Sequence, residues 1–493
     1  MIINIKNLTF SYDGSFFNIF NNVNLSLDTS WRLGLVGRNG KGKTTLLKIL
    51  FGKLEYSGKI ETSVNFEYFP FLVDKTKTIS EIFCSVCPKI EMWKVQRELN
   101  LLEIELSVLQ RQFLTLSLGE QTKVMLAILF AKENSFLLID EPTTYLDILG
   151  RKKLSEYLSQ KNGFIIVSHD RNFLDGCVNH ILSINKASLE IQKGNFSSFL
   201  LNKELEDNFE MAENEKLKGE ISRLEESSKK SRGWAMKNES TKIGFDPSIT
   251  EKSIVRRVLI GAKTKKKMKQ VKALEKRNEK AIAEKEKLLK NIDISEDLCL
   301  RNLNFGGEVF LTIKDLVISY DNKQINNPIS FEVKKGDRIN LMGKNGCGKS
   351  SVIKAILGQI DGFSGKILLP TRLKISYVSQ DTSHLKGNLQ DFCSENKIDR
   401  SKFMIILDKL GFEENNFDGL IQNFSDGQKK KLLIAKSLCE ESNLLIWDEP
   451  LNYIDIISRE QIEKLILTYK PTMIFVEHDK FFCDLVATKN IIM

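Results

Sequence analysis

Two copies of one short pattern, 306 positions apart, constrain this chain more than any other feature. Gly37-Arg38-Asn39-Gly40-Lys41-Gly42-Lys43-Thr44 and Gly343-Lys344-Asn345-Gly346-Cys347-Gly348-Lys349-Ser350 both read GxxxxGK[ST]. Each follows an apolar, strand-like run (31–36 and 338–342), and in the first copy a helical run (45–51) follows. In that context the spacing has a chemical meaning. Glycines let the backbone turn so that several N–H groups converge on phosphate oxygens. The helix N-terminus adds its positive dipole end. Lys43 and Lys349 are expected to reach the β- and γ-phosphates of a nucleotide, and the hydroxyls of Thr44 and Ser350 to ligate Mg²⁺. Thr45 and Ser351, next in each copy, join the candidate ATP-binding set.

Further elements recur in the same order. The apolar runs 136–139 and 444–447 end in Asp140-Glu141 and Asp448-Glu449. A hydrophobic strand that delivers two carboxylates suits metal binding by the aspartate and polarisation of the attacking water by the glutamate. The runs 163–167 and 473–476 end two positions before His169 and His478, each a candidate γ-phosphate contact. The offsets between copies are 306 for the lysines, 308 for the aspartates and 309 for the histidines. This is a tandem duplication of an α/β nucleotide-binding domain. The expected boundaries are 1–199 and 301–493, with a linker over 200–300. Tyr12 and Tyr320 stand near the start of each copy and could stack on adenine; a core aromatic is the other reading.

Charge singles out the linker. Residues 229–272 hold fourteen Lys/Arg against three acids, a net +11 in a chain of only +9. Such a local excess fits a polyanion, nucleic acid before membrane surface, or else an inert solvated spacer. Apolar spacing over 200–230 and 271–292 reads as two helices able to pair as an antiparallel hairpin. About thirty helical residues span roughly 45 Å. Gly244 and Pro247 would break the helix at the far turn. Cations there would meet RNA phosphates and apolar residues would pack among bases. The candidate RNA-binding residues are Lys229, Lys230, Arg232, Lys237, Lys242, Phe245, Arg256, Arg257, Lys263, Lys265, Lys266 and Lys267.

Other classes recede. No window reaches 18 continuous apolar residues, so no membrane span is expected. The opening MIINIKNLTFSYDG lacks the pattern of a signal peptide. The eight cysteines are scattered, and Cys84-x-x-Cys87 has no second pair, so buried free thiols and a reducing, cytoplasmic setting are expected.

Between phosphate loop and carboxylate pair, Leu116-Ser117-Leu118-Gly119-Glu120-Gln121 and Phe424-Ser425-Asp426-Gly427-Gln428-Lys429 resemble the LSGGQ signature of ABC ATPases. Asp147 and Asp455 match that family's D-loop. The resemblance implies two domains facing head to tail around two ATP molecules, within a monomer. One site would use Lys43, Thr44, Asp140, Glu141 and His169, closed by Ser425 and Gly427. The other would use Lys349, Ser350, Asp448, Glu449 and His478, closed by Ser117 and Gly119. Gln380 in YVSQ resembles the Q-loop glutamine, a contact to ATP and metal; the first copy carries Phe71 there. Leu118 and Asp426 replace a signature glycine, and Tyr145 stands where ABC-F proteins often have His.

Two fused domains and a long charged linker resemble the ABC-F translation proteins, most of all the Lsa/Vga-type antibiotic-resistance members. That likeness implies a linker entering the bacterial ribosome's E site, touching 23S rRNA and P-site tRNA and pointing toward the peptidyl-transferase centre. Lincosamides, streptogramin A and pleuromutilins would be displaced. Residues 74–112 occupy the family's arm position. No membrane or DNA partner is implied. A housekeeping ABC-F factor, or the double ATPase of a sugar importer, is the alternative.

Overall fold

The computed structural model describes residues 1–12, 18–184, 189–240, 269–274, 276–278, 280–281, 298–300, 306–320, 323–412, 417 and 419–493. Two compact units emerge. One comprises Met1–Phe199 with Ser295–Met493, and the other Leu200–Ile294.

The first half runs β1 (Ile2–Phe10), β2 (Phe20–Asp28), β3 (Arg32–Val36), α1 (Lys43–Leu50), β4 (Ser57–Glu61), β5 (Asn65–Phe69), α2 (Ile79–Val86), α3 (Met92–Leu101) and α4 (Leu118–Phe130). It continues through β6 (Ser135–Asp140), α5 (Ile148–Ser159), β7 (Phe164–Val167), α6 (Arg171–Cys177), β8 (His180–Ile184) and β9 (Leu189–Lys193). Strands β2-β1-β4 form an antiparallel sheet, and β5-β6-β7-β3-β8-β9 a second sheet that is parallel up to β8. The second half repeats this with β10 (Val309–Tyr320), β11 (Lys323–Gln324), β12 (Ile329–Lys334), β13 (Arg338–Met342), β14 (Phe363–Leu368), β15 (Ile375–Val378), β16 (Leu444–Asp448), β17 (Met473–Val476) and β18 (Lys489–Ile492). Its parallel sheet has the order β15-β16-β17-β13-β18.

Composition accounts for the layering. Every residue of β7, β16 and β17 is buried, as for central parallel strands covered on both faces. In β12, Ile-Ser-Phe-Glu-Val-Lys alternates strictly between buried and exposed, as for a strand with one wet face. The central strands β3 and β13 each sit beside a strand followed two positions later by His169 or His478, and one removed from a strand ending at Asp140 or Asp448. Phosphate loop, carboxylate pair and histidine thereby share the C-terminal edge of one sheet, where open α/β sheets bind ligands.

Residues 74–112 fold as α2 and α3, packed on α4. The second half carries the helices Leu389–Glu395 and Arg400–Lys409 at the matching place, so both halves hold this two-helix unit. The cysteines depart from expectation. Cys87, Cys177, Cys393 and Cys483 are buried, but Cys84 and Cys299 are exposed. Helix α2 buries Ile79, Ile82 and Phe83, which turns Cys84 to solvent.

In the linker unit, α7 (Phe196–Ser240) extends ten residues beyond the expected end of the first helix. Its Glu-, Lys- and Leu-rich sequence supplies good helix formers throughout. Leu217, Ile221 and Leu224 are half-buried, whereas Leu205 and Phe209 are exposed. Lys229 and Lys230 lie exposed on this helix, with Lys230 3.4 Å from Glu226. Arg232 and Lys237 also fall on its backbone. The backbone is helical again over 269–274, 276–278 and 280–281. Lys242, Phe245, Arg256, Arg257, Lys263, Lys265, Lys266 and Lys267, with the proposed turn, lie outside the described residues. Among the described residues no helix is long and apolar enough to cross a membrane.

Candidate active sites: two composite nucleotide cavities

Each phosphate loop closes onto a helix N-terminus. Gly42 and Gly348 cap α1 and the helix Lys349–Ile356 with φ of 92° and 94°. A side chain at position 42 would be strained by that φ, and its Cβ would lie 2.5 Å from Ile19. Lys43 Nζ donates to Gly37 O (2.7 Å), Arg38 O (3.2 Å) and Asn39 Oδ1 (3.1 Å). Lys349 Nζ donates to Gly343 O (2.8 Å) and Lys344 O (3.0 Å). The lysines are thus held across their own loops, over the phosphate cradle. Gly37 and Gly343 act through these carbonyls and do not line the cavities.

The signature segments are helix caps. Ser117 and Ser425 each accept a hydrogen bond from the backbone N–H three residues on, and the side chains of Glu120 and Gln428 accept one from the serine N–H. The signature helices therefore begin with positive dipole ends aimed across the domain boundary. Asn39 Nδ2 donates to Tyr453 O at 2.7 Å, and Asn345 Nδ2 to Tyr145 O at 3.2 Å. These two bonds join each phosphate loop to the D-loop of the other half.

Two cavities result. The first, about 430 Å³, is lined by Tyr12, Asn39, Gly40, Gly42, Lys43, Thr44, Thr45, Asp140, Glu141 and His169 from one half, and by Ser425, Asp426, Gly427 and Tyr453 from the other. The second, about 650 Å³, takes Asn345, Gly346, Gly348, Lys349, Ser350, Ser351, Gln380, Glu449 and His478 together with Ser117, Leu118, Gly119 and Tyr145. Both fall within the size range of small-molecule sites. Tyr12 lines its cavity and its hydroxyl pairs with Thr45 Oγ1 at 3.0 Å. Tyr320 stays outside the second cavity, donating to Ser351 Oγ at 3.3 Å. Asp448 lies just beneath that cavity's lining, 1% exposed.

The two glutamates differ in their surroundings. Glu449 Oε2 accepts from Gln380 Nε2 (2.8 Å) and Asn452 Nδ2 (2.6 Å), and His478 Nε2 stands 3.5 Å from Oε1. Burial pushes its pKa up, but His478, Lys430 and Gln380 outweigh that and hold it below the usual value. Glu141 has His169 Nε2 at 3.3 Å and no amide clamp, because Phe71 and Thr144 replace Gln380 and Asn452. Burial, then the neighbouring Asp140, pushes Glu141 up. Burial, then Lys43, drives the His169 pKa down. Both glutamates sit in left-handed backbone, φ 49° and 47°, as does Tyr453 at 64°. Such strain in non-glycine residues clusters at functional sites.

The oxygen donors fit a hard divalent cation. Burial raises the Asp448 carboxyl to about 6, against a hydrogen bond from Ser350. Its Oδ1 is buried with no hydrogen-bond partner, as expected of an oxygen reserved for a ligand. Sequence reasoning missed Asn452, Thr144, and Ile19 with Ile325, which line the cavities next to the phosphate loops. The isoleucines stand 306 positions apart, the spacing of the phosphate loops themselves, and could have been found that way.

Comparison with known proteins agrees with this architecture. The ABC transporter family model matches residues 20–144 and 326–452. The ATP-binding protein Uup of Buchnera aphidicola subsp. Acyrthosiphon pisum is 29% identical over 99% of this chain and 80% of its own length. The ribosome protection protein VmlR of Bacillus subtilis is 28% identical over 100% of this chain and 86% of its own. ABC transporter F family member 2 of Arabidopsis thaliana is 26% identical over 99% and 76%. Among solved structures, an archaeal ribosome recycling factor, aABCE1, superposes with a TM-score of 0.64 at 20% identity, over 99% of this chain and 87% of that one. The chain therefore belongs to the ABC family, and it is an ATPase of the ABC-F type with both nucleotide-binding domains in one polypeptide.

Proposed function

We propose that this ATPase works on the bacterial ribosome as an antibiotic-resistance protein of the Lsa/Vga type. The observation that carries the reading is the joining of two ATP sites, each closed by the other half, to a linker unit whose residues 229–272 carry +11. ATP·Mg²⁺ bridges the halves. Thr44 with Asp140, and Ser350 with Asp448, would hold the metal, which would neutralise charge on the transferring phosphoryl group. Lys43 and Lys349 hold the phosphates. Ser425 with Gly427, and Ser117 with Gly119, cap them from the opposite half. Glu449 polarises the attacking water and His478 orients it; Glu141 and His169 are their counterparts. Loss of the γ-phosphate removes the shared anion and releases the halves.

The closed state presents the linker to the ribosomal E site. The basic residues from Lys229 to Lys267 neutralise rRNA and tRNA phosphates, and the segment around Phe245 reaches toward the peptidyl-transferase centre to displace lincosamide, streptogramin A or pleuromutilin. The protein acts in the cytoplasm as a monomer. Full-length similarity to a ribosome protection protein supports this reading. The similarity to Uup favours the second reading, a housekeeping ABC-F factor that acts without drug. Drug susceptibility separates the two. Expression in a sensitive bacterium raises the inhibitory concentration of at least one of the three drug classes severalfold. Unchanged susceptibility to all three discards the resistance role and leaves the housekeeping one.

A further inference from the structure

The first ATP site lacks the Q-loop glutamine, and the structure puts another side chain at its aspartate. Strand β5 pairs with β6 in parallel, with Tyr68 opposite Leu138. Tyr68 Oη donates to Asp140 Oδ2 at 2.9 Å. The ring is 8% exposed, lies 5.7 Å from that of Phe51, and has Lys53 Nζ 5.4 Å over it. Its packing therefore fixes where the hydroxyl points. In the second half, Tyr377 occupies the same register, opposite Ile446. There Tyr377 makes no hydrogen bond to Asp448, and Gln380 reaches the neighbouring glutamate.

We propose that Tyr68 is a positioning residue of the first ATP site: its phenol fixes Asp140 so that Oδ1 faces the cavity and receives the nucleotide's metal. In the second site the matching Tyr377 gives Asp448 no such bond. The phenol commits Oδ2, disperses part of the carboxylate charge and removes one of the two orientations a free carboxylate could take. Thr44 is exposed and makes no such bond to Asp140, so without Tyr68 the aspartate has no fixed direction. The same bond holds Asp140 beside Glu141, whose amide clamp is missing.

A hydrogen bond to a charged group is worth about tenfold in an equilibrium constant or somewhat more. The test uses the full-length chain with Lys349→Ala, which empties the second site, and follows Mn²⁺ binding in the presence of ATP by electron paramagnetic resonance. Tyr68→Phe weakens Mn²⁺ binding about tenfold. In the reciprocal background, Lys43→Ala, Tyr377→Phe changes Mn²⁺ binding less than about twofold. Wild-type Mn²⁺ affinity in Tyr68→Phe, or an equal loss in Tyr377→Phe, overturns the proposal. A second measurement needs no loss-of-contact variant. With 3-fluorotyrosine at position 68 of the otherwise unaltered chain, the ¹⁹F resonance shifts when Mg²⁺ is added to the ATP-loaded protein. A resonance unmoved by Mg²⁺ overturns the proposal equally.

Discussion

The first and second ATP sites share a plan and differ in how tightly they hold the group that activates water. Glu449 is clamped by two amide donors and kept ionised, while Glu141 has neither amide and is pushed toward its protonated form by burial and by Asp140. A general base must be charged to accept a proton, so the second site is suited to turnover. The first cavity is the smaller, and its cross-domain contact is the shorter, 2.7 Å at Tyr453 against 3.2 Å at Tyr145. Two sites built on one duplicated pattern thus differ in the loop residues that surround their glutamates.

The contrast can be broken most sharply at the glutamates. Glu449→Gln lowers steady-state ATP hydrolysis on the order of a hundredfold, whereas Glu141→Gln lowers it by about fivefold or less. Phosphate release under saturating ATP measures both; equal losses would erase the distinction. Next come the signature glycines. A Cβ on Gly427 would meet Tyr453 O at 2.6 Å and Asn39 Nδ2 at 2.9 Å, but one on Gly119 meets nothing nearer than 3.4 Å. Overpacking costs about 1–3 kcal/mol, so Gly427→Ala weakens binding of a fluorescent ATP analogue roughly tenfold or more and Gly119→Ala less than about twofold. The amide clamp is third. Gln380→Ala slows hydrolysis about tenfold, and placing glutamine at Phe71 leaves the second site unaffected.

The smallest effect concerns the joint between the halves. Arg171 of α6 pairs with Glu463 (3.2 Å), a glutamate whose carboxyl burial raises from 4.5 to about 7 despite Arg171. The folded chain binds this proton more tightly than the unfolded one. Its contribution to stability is therefore full below pH 4.5 and is lost as pH rises through about 7. Glu463→Gln flattens the melting temperature between those values, and an unchanged slope in calorimetry would count against it.

Much of the site was legible because phosphate binding demands glycines, a lysine and a hydroxyl at fixed spacing, and the demand is met twice. The carboxylate pairs stood out because buried strands are apolar until Asp140 and Asp448. The support for those groups was not legible. Nothing local in sequence tells that Tyr68 reaches Asp140, 72 positions away, or that Asn452 turns back on Glu449. Tyr12 and Tyr320 look equivalent by offset, yet Tyr12 lines its cavity and Tyr320 does not. The cysteine pattern misled because one helical step separates buried Phe83 from exposed Cys84. Helix α7 continues past residue 230 because its Lys-, Glu- and Ala-containing sequence favours a helix.

The central claim is that ATP closes the two halves into a form that binds ribosomes. Its most direct test is sedimentation of the Glu141→Gln, Glu449→Gln chain with bacterial ribosomes through a sucrose cushion, with ATP and with ADP. The account predicts near-stoichiometric recovery in the ribosome pellet with ATP, little with ADP, and loss of binding at high salt. A chain left in the supernatant with ATP, or pelleted equally with ADP, would contradict it.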